Sequence, residues 1–170
     1  MHNQKYLKFL SLLSTLLILL LVGCTSYLPT PTLVGQTTSI EYRNTEYGFS
    51  FTLPASWTGY TIITAQWQGL AAVPSGEAVV EQGPIISIRH PLWTSANPRQ
   101  DIPIMVFTLA QWNSLQQGNF HIGAAPIGPS ELGRNAHYVF ALPARYNYAF
   151  PTGFEEVETI LEGHPLHIPR

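Results

Sequence analysis

One cysteine, Cys24, is present in 170 residues. It leaves no intramolecular disulfide and no paired-thiolate metal site. Lysine is confined to Lys5 and Lys8; beyond them the arginines are Arg43, Arg89, Arg99, Arg134, Arg145 and Arg170. That excludes a phosphate-cradling loop ending in Gly-Lys. It also excludes the basic cluster that nucleic acid or an anionic lipid surface demands. Asp101 is the only aspartate, so a Ser-His-Asp triad must use it or a glutamate. Neither a Gly-x-Ser-x-Gly elbow nor a Ser-x-x-Lys motif occurs. The chain reads as a non-enzymatic one, and no cofactor is expected. Charged residues make up 11% and aromatics 12%, a balance that favours a packed body over disorder.

What is present begins with a short basic start at Lys5 and Lys8, followed by a mostly apolar stretch from Phe9 to Val22. Leu21-Val22-Gly23 then precedes Cys24. Charge, apolar segment and small-residue cut site in that order mark a secretory signal over residues 1–23. The apolar stretch is shorter than the roughly 20 residues a spanning helix needs. Leu-x-Gly-Cys resembles the lipobox of bacterial lipoproteins. The resemblance implies a diacylglyceryl group on the Cys24 thiol and a cell-membrane anchor on the extracytoplasmic face. Two acyl chains anchor stably where one does so marginally. Residues 24–39, with Pro29, Pro31 and several threonines, read as a tether. Fully extended it would reach about 45 Å, at about 3.1 Å per residue.

One folded domain is expected over residues 40–170. Ile40–Asn44 and Phe49–Leu53 read as a hairpin of half-buried strands closed by Thr45-Glu46-Tyr47-Gly48. Tyr60–Trp67 and Pro84–His90 read as strands, with a loop over Ala71–Gly83 between them. Pro91–Asp101 is a loop. Ile104–Leu109 reads as a strand covered on both faces. Thr108 and Gln111 match a capping box that opens a helix over 109–117, with Trp112 and Leu115 inward. Phe120–Ile122 is a short strand, Gly123–Gly133 a loop, and Ala136–Leu142 a strand with Tyr138, Phe140 and Leu142 on one face. A last helix starts at a Thr152/Glu155 capping box. It turns Phe154, Val157, Ile160 and Leu161 inward and stops at Gly163. His164-Pro165-Leu166-His167 reads as a frayed tail.

Glu41-Tyr42-Arg43-Asn44-Thr45-Glu46-Tyr47-Gly48-Phe49-Ser50-Phe51-Thr52-Leu53-Pro54-Ala55-Ser56-Trp57 resembles the opening of PsbP-like and Mog1-like domains. The Phe-Glu-Glu-Val-x-x-Ile pattern from Phe154 to Ile160 resembles their last helix. The resemblance spans about residues 40–163, its motifs lying at the two ends. It implies an α+β fold, an antiparallel sheet with helices on its faces in an α/β/α sandwich. That group consists mostly of binding and accessory proteins without a shared catalytic centre, so no catalytic residue carries over.

Glu155, Glu156 and Glu158 sit where acids favour a helix N-terminus, and they are read as structural. His90, His121, His137, His164 and His167 lack the helical spacing of a zinc protease. His121 and His137 would converge on a metal only if their strands were neighbours; no metal site is assigned. Two loops combine arginine with aromatics, the side chains enriched at binding hot spots. One carries Arg89, His90, Trp93 and Arg99; the other carries Arg145, Tyr146 and Tyr148. If they meet, they form a site for a protein partner or an anionic small molecule. Otherwise the aromatics pack on the sheet edge and the arginines pair with acids. The expected role is a membrane-anchored binding module for a protein partner. The alternatives are a small-ligand or metal receptor and, further off, a surface hydrolase.

Overall fold

The hairpin expected near residue 40 forms as β1, Ser39–Asn44, and β2, Phe49–Pro54, in a computed structural model that describes residues 38–123 and 127–169. The signal segment, Cys24 and the tether up to residue 37 lie outside the described residues. Gly48 takes φ 73° at the turn, where a side chain would be strained. The Asn44 side chain accepts the Tyr47 N–H at 2.9 Å and closes the loop. β2 is more buried than a half-covered strand: Ser50 is inside along with Phe49, Phe51 and Leu53. The cause is a partner on each edge, since β9, Leu166–His167, pairs β2 on the side away from β1.

The tail is therefore not frayed. Pro165 is buried, its carbonyl accepts the Thr52 N–H at 2.9 Å, and Leu166 packs against the core.

Six strands form the larger antiparallel sheet, in the order β6-β3-β4-β5-β8-β7. They are β3 (Thr61–Val73), β4 (Gly76–Arg89), β5 (Ile102–Thr108), β6 (His121–Ile122), β7 (Ser130–Arg134) and β8 (Tyr138–Leu142). Two expected loops contain strand. Residues 71–83 complete a long β3–β4 hairpin that turns between Val73 and Gly76. Residues 130–134 pair with β8. Small residues hid the hairpin. Trp67 lies over Gly83, its cross-strand partner, and Phe120 lies over Gly69, so aromatic rings occupy the space that Cβ atoms would fill.

β5 alternates Ile102, Ile104 and Val106 toward one face, and Met105 and Phe107 toward the other. On the first face lie β2, Trp57 and Val157 of helix α2, Phe154–Glu162. On the second lie Trp67, Phe120 and Trp112 of helix α1, Leu109–Gln116. Both faces of β8 are buried as well, Phe140 on the first and Val139 and Ala141 on the second. The fold is α+β: among the described residues, a six-stranded and a three-stranded antiparallel sheet with two α-helices.

α1 starts as expected, with both halves of the Thr108–Gln111 capping box formed. α2 does not. Its N-cap is Gly153 in the left-handed region at φ 84°, with no side-chain cap. The Thr152 backbone is engaged elsewhere, its carbonyl accepting the Gln100 N–H at 2.9 Å. The C-cap is Gly163, as expected, and His164 follows at φ 50°. No helix among the described residues is long and apolar enough to cross a membrane.

Candidate functional site

The two arginine-aromatic loops meet. Arg99 and Thr152 form a lone parallel bridge, and the Gln100 side chain donates to the Tyr146 carbonyl at 3.2 Å. Between the loops lies a cleft of about 460 Å³ lined by residues of 92–99 and 150–152. A neighbouring hollow of about 590 Å³ is lined by Arg145, Asn147, Tyr148, Ala149 and Phe150.

The predicted residues divide into those spent on the fold and those that are not. Arg89 is spent. It makes a two-pronged ion pair with Asp101, its shortest contact 2.7 Å, and its guanidinium stacks 3.9 Å above the Trp93 ring. His90 is buried at 4% exposure, edge-on to Trp57 with centroids 4.9 Å apart. Its Nδ1 accepts the Leu92 N–H at 3.1 Å, which shapes the start of the loop. Burial pushes the His90 imidazole below its ordinary value, the Arg99 charge adds to this, and Glu156 opposes it. Tyr146 packs against the core, and burial raises its phenol, with Glu158 adding.

Arg99 is half spent. Its guanidinium lies 3.6 Å from Glu156, while its Nε is buried without a hydrogen bond. Gln100, beside it, also keeps a buried Oε1 without a partner. Such atoms are uncommon in native folds, where nearly all buried polar groups are paired. A Cβ on Gly153 would lie 3.0 Å from the Arg99 guanidinium, and the residue's φ of 84° disfavours a side chain in any case. Glu156 does more than favour the helix dipole: it accepts from Ser56 at 2.7 Å and from the Trp57 indole at 3.3 Å. Its position in the first turn of a helix was legible in sequence; its partners, about a hundred residues away, were not.

Arg145 and Tyr148 are not spent on the fold. Arg145 is exposed and makes no ion pair among the described residues, whereas Arg43, Arg89, Arg99 and Arg134 each face a carboxylate. Leu92, Tyr148 and Phe150 are exposed by 66%, 75% and 68%. The backbone of Arg145 and Phe150 sits at φ 55° and 46°, a region that L side chains adopt at a cost. Leu92 and Phe150 belong to the two loops singled out in the sequence but were not among the expected site residues; nothing local distinguishes an exposed apolar side chain from a buried one.

The histidines do not converge. His121 belongs to β6, at one end of the large sheet, and His137 precedes β8, beyond β3, β4 and β5. His121 instead bonds Glu77 at 2.9 Å and the Gly123 carbonyl at 2.7 Å. A separate apolar groove of about 590 Å³ runs between Leu53, Pro54, Ile160 and Pro165, with Glu156 its only carboxylate. Thr38, Ser39, Thr52, Thr159 and His167 line it as well, but no arginine and none of the exposed large apolar side chains does, and those are what the loop cleft offers a partner.

No protein family, curated protein or solved structure matches this chain.

Proposed function

We propose that this protein is a lipid-anchored, extracytoplasmic binding module, non-catalytic, that captures a protein partner in the cleft between its 92–99 and 145–152 loops. One observation carries the reading. Three of the most exposed apolar side chains line two adjoining concavities on the two loops: Leu92 the cleft, Tyr148 the hollow, and Phe150 both. Exposed apolar groups clustered at a cleft mark interaction sites, and aromatics are enriched at their centres. The Leu21-Val22-Gly23-Cys24 segment supports the anchor. Helices on opposite faces of an antiparallel sheet, with the Tyr47-Gly48-Phe49 hairpin and the buried Trp57, support a PsbP/Mog1-like sandwich. An accessory or assembly role at the membrane surface follows from the anchor and the site together.

In-cell crosslinking of the anchored protein tests this, with Cys24→Ala and Phe150→Ser as controls. One dominant partner, reduced in both controls, is the expected result. Capture unchanged in Phe150→Ser removes the site, and full function of an exported Cys24→Ala form removes the anchor.

A second reading, a small-ligand receptor, draws on the buried Arg99 Nε and Gln100 Oε1, which lack partners. It predicts a melting temperature that rises with added acetate or phosphate, as for any ligand bound only by the native state.

A further inference from the structure

We propose that the loop cleft takes an acidic peptide segment whose carboxylate lies next to an aromatic or aliphatic side chain. The proposal rests on reading this protein as a partner-binding module. Over the whole chain, acids outnumber lysine and arginine and the formal net charge is −2. No aspartate or glutamate lines the cleft or the adjoining hollow; the nearest carboxylates stand behind the walls, Glu156 at 3.6 Å from Arg99 and Glu158 accepting from the Asn147 side chain at 2.7 Å. Each concavity has an arginine instead, Arg99 in the cleft and Arg145 in the hollow.

Neither guanidinium is fully used. Arg145 faces no carboxylate among the described residues. Arg99 has one long contact, 3.6 Å to Glu156, and a buried Nε that donates to nothing. A lining whose only charged side chains are arginines favours an anionic occupant. The rim adds the second requirement. Leu92 at the cleft, Tyr148 at the hollow and Phe150 between them are exposed, so the occupant must cover apolar surface as well. A guanidinium fork recognises a carboxylate in two-pronged geometry, and the aromatic rings beside it receive the neighbouring side chain.

An anionic membrane fits less well. The Arg99 side chain is 22% exposed and lines a concavity, where a planar surface does not reach. The acid excess of the chain repels such a surface.

The test is selection of a random-peptide display library on the full-length chain, in detergent, alongside its Arg145→Gln and Arg145→Lys forms. The wild type should enrich peptides that place Asp or Glu beside Phe, Tyr or Leu. Arg145→Gln should weaken the selected peptides about tenfold, the size of one charged hydrogen-bonded contact. Arg145→Lys should recover part of that loss. Acid-free winners, an unchanged acid preference in Arg145→Gln, or no enrichment would each overturn the proposal. So would Arg145-dependent binding to phosphatidylglycerol vesicles in place of peptides. The Phe150→Ser crosslinking experiment separates the two levels. Partner loss there without an acid preference here discards the acidic occupant and keeps the binding module. Unchanged capture discards the module itself.

Discussion

Trp67 shows how a single side chain can decide a strand pair. Its indole N–H donates to the Val106 carbonyl at 2.9 Å, and its ring stacks on Phe107 with centroids 4.4 Å apart. A Cβ on Gly83 would lie 2.6 Å from the indole ring. Gly83→Ala should therefore destabilise the fold by about 1–3 kcal/mol, the usual range for overpacking. Urea unfolding checks this, and an unchanged midpoint would show that the ring is free to move aside. His90 gives a second prediction at this scale. Its folded-state pKa is depressed, chiefly by burial, so the unfolded chain takes up the proton first. Stability is then present above the unfolded value of about 6.5 and lost as pH falls below it. His121 has a raised pKa, first through the Gly123 carbonyl and then through Glu77, and its contribution runs the other way. The comparison that isolates His90 is the pH dependence of the unfolding midpoint in wild type and in His90→Asn. The fall between pH 7 and pH 5 should be shallower in the variant; equal slopes would remove His90 as the cause.

At the scale of the element, the two helices contrast. α1 begins as its sequence says, because the Thr108 and Gln111 side chains each accept the other's backbone N–H. Thr108→Ala should cost about 1 kcal/mol, read from the shift of the urea midpoint at constant slope. α2 carries the same pattern in Thr152 and Glu155 and does not use it. A contact made 52 residues earlier in the chain, the Gln100 N–H on the Thr152 carbonyl, holds that residue outside the helix. Local capping preference is worth about 1 kcal/mol, and tertiary pairing outweighs it readily. The same argument applies to β9. Two residues show no periodicity, yet they pair antiparallel with β2 and place Leu166 against the core. Ending the chain after His164 should destabilise it on the order of 2 kcal/mol, the value of one well-covered apolar side chain. A thermal melt of the truncated protein measures this, and an unshifted melt would return the segment to a frayed tail.

For the whole molecule, the site and the scaffold are separable. Phe150 is 68% exposed and, among the aromatic rings of the described residues, touches only Phe154, with centroids 5.1 Å apart. Phe150→Ser should change stability by no more than about 0.5 kcal/mol while lowering partner capture. Calorimetry beside crosslinking makes the distinction, and a large loss of stability would recast Phe150 as a packing residue. The sequence alone determined the elements with a clear period or a closed cap: β1, β2, β5, β8, helix α1 and the apolar face of α2. It also carried the resemblance of Leu21-Val22-Gly23-Cys24 to a lipid-attachment signal, because such a signal is read as a linear string. Only the tertiary structure decided which arginines were already used. Arg89 and Arg145 look alike in sequence, each beside aromatics, but Asp101 neutralises the first and nothing described neutralises the second. Only the fold brought residue 99 to residue 152, and only the fold made a hairpin of the Gly/Ala-rich stretch after Trp67. The reason is one of range. Periodicity and capping act over a few residues, whereas ion pairs, cross-strand rings and cleft walls depend on partners whose place along the chain carries no local mark.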